Sequence, residues 1–171
     1  MNKSFLLVGI LCGALCGAML SGSVALAADD YKGAPSTTEM TASFMGGFGL
    51  VDTSGGFALT GALAKKILDR GFVSDLNDPI FIEVEFGPMF TSGITAWMYS
   101  AHLRWDFVKD PAWTFFAIGG MGANTISVNS NTRFALYPRF GAGAFYTLPV
   151  GLTLRAEVSH EQVVAGVSVA F

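Results

Sequence analysis

Ser100, His102 and Asp106 stand two and four residues apart in a segment of alternating polarity. A hydroxyl, an imidazole and a carboxylate on one face are the parts of a nucleophilic relay. On a strand all three would point the same way. Strand residues two apart sit about 6–7 Å from one another, which is too far for a direct bond between base and nucleophile. The spacing therefore favours ordinary polar contacts over catalysis. A metal site needs clustered His, Cys or carboxylate ligands. The chain has two histidines, His102 and His160, which stand apart, and its two cysteines, Cys12 and Cys16, fall in an N-terminal apolar run. No metal and no cofactor is expected. The runs Gly46-Gly47-Phe48-Gly49 and Gly119-Gly120-Met121-Gly122 lie in strand-like segments with no helix after them, so they are not nucleotide loops.

These residues sit in eight alternating segments, about 40–50, 57–68, 80–90, 96–107, 113–123, 133–147, 151–160 and 163–171. The fourth is the clearest. Trp97, Tyr99, Ala101, Leu103, Trp105 and Phe107 form one row, and Met98, Ser100, His102, Arg104 and Asp106 form the other. The third sets Ile80, Ile82, Val84 and Phe86 against Phe81, Glu83 and Glu85. The seventh sets Leu152, Leu154, Ala156 and Val158 against Thr153, Arg155, Glu157 and Ser159. Pro138 falls inside the sixth segment, where its missing N–H predicts a bulge. Residues 61–71 could instead begin a short helix capped by Gly71, because Leu63, Ile67 and Arg70 share a helical face. Strand is favoured for the first half of that stretch.

The N-terminus reads as an export signal: Lys3, an apolar run over 5–20, and Ala25-Leu26-Ala27 as the cleavage site. Residues 1–27 would be removed, 28–39 would form a polar periplasmic linker, and 40–171 would form the folded domain. Without Lys3 the chain keeps nine basic and thirteen acidic residues and no basic run, which excludes nucleic acid as a partner. No stretch beyond the signal is long enough for a membrane-spanning helix. An apolar, glycine-rich and phenylalanine-rich chain of alternating segments fits an eight-stranded antiparallel up-and-down transmembrane β-barrel with a packed polar lumen.

With lipid outside, one row of every strand turns inward. It carries Lys66, Arg104, Arg139 and Arg155 with Glu83, Glu85, Asp106 and Glu157, plus His102. Four positive and four negative charges cancel, and buried charges must be paired. An interior salt-bridge network is the expectation, with a narrow ion or proton path as the alternative. Aromatic residues gather near both rims: Trp105, Phe107, Trp113, Tyr146 and Phe171 at one, Phe57, Phe90, Trp97 and Phe134 at the other. A soluble ligand-binding barrel of the periplasm would invert both faces.

The last strand alternates Val163, Ala165, Val167, Val169 and Phe171 with smaller residues. Its terminal Phe171 resembles the assembly signal of bacterial outer-membrane barrels, and the whole pattern resembles the small OmpA/OmpX-like superfamily. That resemblance implies export to the outer membrane, insertion by the barrel assembly machinery, a monomer, and contact with outer-membrane lipids and lipopolysaccharide. It implies a non-enzymatic role in membrane structure or surface interaction. A second resemblance covers about the last 70 residues. It runs through His102 to Phe107, Phe115 to Gly122, Thr132-Arg133-Phe134, Gly141-Ala142-Gly143 and Leu152 to His160, and is to the outer-membrane lipid A 3-O-deacylase family. Those barrels carry a His-x-Ser-Asn motif on the outer wall. Here His160 matches the His, while Gln162 and Val163 replace the Ser and Asn. What this implies is a lipid A acyl-hydrolase, or a relative that has lost its nucleophile, with His160 as its catalytic candidate.

Overall fold

Strand pleating sends successive side chains to opposite faces, and the two rows of each segment meet two different environments. The computed structural model describes residues 36–51, 54–73, 75–92, 94–128 and 131–171. The segment read as an export signal, both cysteines and most of the expected linker lie outside the described residues. Eight strands follow in order: β1 (Met40–Val51), β2 (Ser54–Leu68), β3 (Ile80–Thr91), β4 (Ile94–Val108), β5 (Trp113–Val128), β6 (Asn131–Thr147), β7 (Thr153–Ser159) and β8 (Gln162–Ala170). Each pairs antiparallel with the next, and β1 pairs with β8, closing the sheet into a barrel. Phe171 completes the seam, exchanging backbone hydrogen bonds of 2.8 and 3.0 Å with Met40.

The strands tilt. Phe48 pairs with Val163, Val163 with Val158, then Ala142, Ala117, Trp105, Ile80 and Leu68. The circuit thus reaches β2 at Leu68, whereas Phe48 pairs directly with Phe57 on that strand. Such a stagger is what closure of a tilted barrel requires. The rim holding Met40 and Phe171 is called the near rim, and the opposite one, with the β1–β2, β3–β4, β5–β6 and β7–β8 turns, the far rim.

One expectation holds and one is corrected. The strand over about 57–68 is present and the alternative helix over 61–71 is not: β2 continues to Leu68, with a register shift between Lys66 and Leu68. Pro138 makes no bulge, since pairing with β5 runs unbroken through Met121↔Pro138. Pairing between β6 and β7 begins only at Gly141↔Ser159. Residues 131–140 have β5 as their sole neighbour, so the missing proline donor interrupts no ladder on the β7 side.

The outer wall is apolar from rim to rim, with Phe44, Leu63, Phe86, Leu103, Phe115, Phe140, Val158 and Val167 among its exposed side chains. Inside lies the reverse. Toward the far rim Met45, Val51, Ala58, Ala62, Met89, Ala96, Met98 and Val164 pack into an apolar plug. Toward the near rim Phe116, Ile118 and Phe145 form a second cluster. The charged residues lie between them. Glycine makes room for the packing: a Cβ on Gly120 would fall 2.5 Å from the backbone of Ala101 and His102, and one on Gly143 would fall 2.2 Å from the Phe116 ring.

Candidate functional site

Glu83 and Glu85 project inward from β3, His102, Arg104 and Asp106 from β4, Arg139 from β6, and Arg155 and Glu157 from β7, and all are buried. Arg155 is the hub. Its Nη2 donates to Glu83 Oε1 at 2.6 Å, to Glu157 Oε2 at 2.5 Å and to Glu85 Oε1 at 3.2 Å, and its Nη1 donates to Glu83 Oε2 at 2.9 Å. Arg139 Nη2 reaches Glu85 and Glu157, each at 2.6 Å. Arg104 bonds Glu83 through Nη1 and grips Asp106 through Nε at 2.8 Å and Nη2 at 3.1 Å. Aromatic rings cover the guanidiniums on the near side: Arg104 lies 4.5 Å from the Phe81 centroid, and Arg155 lies 5.0 Å from that of Phe116.

The balance of charge differs from the expected one. Lys66 stands apart at the near rim, where its Nζ lies 2.8 Å from Glu39, from Asp69 and from the Ser36 carbonyl. Glu161, absent from the expected set, turns inward and approaches Arg139 Nη1 at 2.7 Å. Three guanidiniums therefore face five carboxylates: Glu83, Glu85, Asp106, Glu157 and Glu161. The hydroxyls of Thr41, Ser43 and Ser100 and the Gln162 side-chain amide add further bonds, while Arg139 Nε and Arg155 Nε are buried without a hydrogen-bond acceptor.

Ser100 and His102 do touch. Ser100 Oγ lies 3.3 Å from His102 Nδ1, and the other ring nitrogen lies 3.0 Å from Glu83 Oε1. The expectation that neighbours two apart on one strand face cannot bond fails because it measured backbone spacing. The side chains lean toward each other, as Arg104 and Asp106 also do. The acid beside His102 is Glu83, while Asp106 belongs to Arg104. This Ser–His–Glu line has the order of a relay, but its hydroxyl accepts from Arg139 Nη1 at 3.0 Å and every member is buried. Glu83, Glu85 and His102 also converge as three metal-type ligands within 4.8 Å of one another. His102 thus does not stand apart from other ligand types as the sequence suggested, because β3 pairs beside it, and the guanidiniums of Arg104 and Arg155 bond the same Glu83 oxygens.

His160 lies just past β7, exposed at the far end of the strand, with its ring edge-on to Tyr137 at 5.5 Å and its Nε2 3.9 Å from Glu161 Oε2. Phe48, Leu50, Phe57 and Val163 line a shallow apolar cleft of about 500 Å³ beside it. The residue at the position of the deacylase Ser does not join it. Gln162 is buried in the lumen, where its Nε2 donates to Glu85 at 3.3 Å and its Oε1 accepts from Thr60 Oγ1, also at 3.3 Å. The turn at 160–161 breaks the two-residue period, so Glu161 and Gln162 both point inward. The Ser159 hydroxyl accepts from the Gln162 amide at 3.2 Å.

No protein-family model matches the chain, and no curated protein does. Solved structures do. The outer membrane enzyme PagL matches at 14% identity with a TM-score of 0.50, covering 77% of this chain and 99% of that one. Ail, the attachment invasion locus protein of Yersinia pestis, matches at 11% identity and a TM-score of 0.47 over 77% of this chain and 97% of its own. The same protein in a phospholipid bilayer nanodisc matches at 14% identity and 0.47, over 78% and 99%. At such identities the likeness concerns the fold, and the chain has the fold of the small eight-stranded outer-membrane barrels.

Proposed function

We propose that this chain is an integral protein of the bacterial outer membrane, exported through a cleaved signal and serving a non-enzymatic structural or surface-interaction role. One observation carries the reading: the exterior is apolar along every strand while the charges are inside. A soluble barrel in water would pay for that arrangement with a very large exposed apolar surface. Strands of 12 to 17 residues on β1 to β6 exceed the roughly 9–11 needed to cross a bilayer when tilted. The near rim, which holds the seam to Phe171, is then periplasmic, and the far rim faces outward. Lipopolysaccharide and phospholipid are the surrounding partners, and Phe171 serves as the recognition end for the assembly machinery. The test is fractionation followed by gel migration with and without boiling. A membrane-bound, heat-shifted band supports the reading, whereas a soluble periplasmic band without a shift overturns it in favour of the inverted barrel.

A second reading, a lipid A acyl-hydrolase, is favoured by the placement of His160 beside a mostly apolar cleft at the far end of the barrel. The lumenal position of Gln162 argues against it, because the residue at the place of the family's nucleophile carries no hydroxyl, and the Ser159 hydroxyl beside His160 bonds the Gln162 backbone instead.

A further inference from the structure

One side of β6 is bare toward the far rim. Its pairing with β5 runs the whole length, from Trp113↔Tyr146 to Val128↔Asn131. β7 stops at Ser159, and its pairing with β6 starts only at Gly141. Among the described residues, no strand lies on the other side of 132–138. Thr147 donates its N–H to Ala112 on the β5 side, and Leu148 donates to Leu152 on the β7 side. Backbone groups alternate in this way along an antiparallel strand, so Thr132, Phe134, Leu136 and Pro138 turn theirs to the bare side. Pro138 offers a carbonyl alone.

The bare stretch reaches lipid depth. Thr125 pairs with Phe134 on one side and with Trp97 on the other. That register puts Phe134 in the far aromatic girdle, with Leu136 and Pro138 on the hydrocarbon side of it. Phe134 and Leu136 are 67% and 63% exposed on the outer wall. An open sheet edge facing hydrocarbon leaves N–H and C=O groups without partners and is not tolerated there. The contact between the His160 and Tyr137 rings closes only the foot of the gap.

We propose that this edge is the contact between two copies of the chain, β6 against β6, antiparallel about a two-fold axis at Ala135. The edge is complementary to itself. The groups on its bare side belong to residues with outward side chains, so a two-fold pairing that bonds them keeps both apolar rows on one face. With the axis at Ala135, Phe134 of each copy exchanges both hydrogen bonds with Leu136 of the other, and Thr132 donates to the Pro138 carbonyl. Every donor of the stretch then has an acceptor. The acceptor left over is the Thr132 carbonyl, which lies beyond the girdle, toward water. On the inner row Arg133 is exposed and unpaired among the described residues. In this register it faces the Tyr137 ring of the second copy, a cation–π pairing. The inference rests on the membrane reading above and departs from the monomer that the OmpA/OmpX-like resemblance implies.

The experiment uses the full chain with Cys12→Ala and Cys16→Ala, so that an added cysteine is its sole thiol. Ala135→Cys puts a thiol on the axis, where facing Cα atoms of a non-hydrogen-bonded pair stand about 4.5 Å apart, within disulfide range. Mild oxidation of membranes from expressing cells should turn most of Ala135→Cys into an adduct of two chains. Val84→Cys, exposed on the outer wall at β3, should give about tenfold less. Arg133→Cys and Tyr137→Cys should cross-link to each other when co-expressed. Leu136→Pro removes an N–H that serves no bond within its own barrel, and should lower the Ala135→Cys adduct about tenfold while the heat shift persists. No adduct at Ala135, an adduct with a different protein, or equal adducts at Ala135 and Val84 overturns the proposal. Gel migration of the same samples separates the two failures. A heat-shifted chain without the adduct loses only this proposal, and a chain without the heat shift loses the membrane reading as well.

Discussion

Arg155 and Glu83 meet through both carboxylate oxygens, at 2.6 and 2.9 Å, and so join β7 to β3 straight across the lumen. Removing one partner strands a charge away from water, at a cost of about 3–5 kcal/mol. Arg155→Met should lower the temperature of the heat-induced gel shift sharply. The double variant Arg155→Met with Glu83→Gln should recover part of the loss, because one of the stranded charges goes with it. A double variant as unstable as the sum of the singles would contradict the pairing.

Gly120 carries a steric prediction. Its missing Cβ leaves room for the β4 backbone at His102, so Gly120→Val should destabilise by about 1–3 kcal/mol through overpacking and reduce the folded yield. Gly55→Ala is the control, since the nearest atom to its added Cβ is 3.6 Å away. Its unfolding curve should match the parent's within about 0.5 kcal/mol.

Asp78 should govern the β2–β3 connection alone. Asp78→Ala removes a buried carboxylate from two backbone amides and an indole. Hydrogen bonds to a charged group are worth about 1.5–3 kcal/mol. Limited proteolysis should then nick residues 69–79 while the barrel keeps its heat shift, and a connection as resistant as the parent's would refute the bracing role.

His160 separates the two functional readings. Mass spectra of lipid A from cells expressing the parent chain should be unchanged and identical to those from cells expressing His160→Ala. Loss of one acyl chain in the parent alone would establish a hydrolase and displace the structural reading.

Much of this was legible in the two-residue period. The rows from Trp97 to Phe107 and from Met98 to Asp106 divide as the alternation predicts, and so do those of β3 and β7, because a pleated strand leaves no other choice once one face is buried. What escaped lies where the period breaks. Glu161 and Gln162 are consecutive and both inward because the β7–β8 turn resets the parity. Lys66 stays out of the central ion network because it sits at the strand end, next to the register shift before Leu68. The Ser100–His102 contact depends on side-chain lean, which spacing along the backbone does not contain. Asp78 lies in a stretch without periodicity, and its role is set by partners 5, 7 and 27 residues away.

The layer of ions between two apolar plugs also constrains how the molecule is made. Its members come from β3, β4, β6, β7 and the turn into β8, and the β3–β4 hairpin alone carries three carboxylates to one guanidinium. A half-formed sheet in hydrocarbon would present bare guanidiniums and carboxylates to the acyl chains. A chain inserted as proposed would therefore need its carboxyl-terminal strands in place before the earlier ones met the acyl chains, with the seam between β1 and β8 closing over a paired interior.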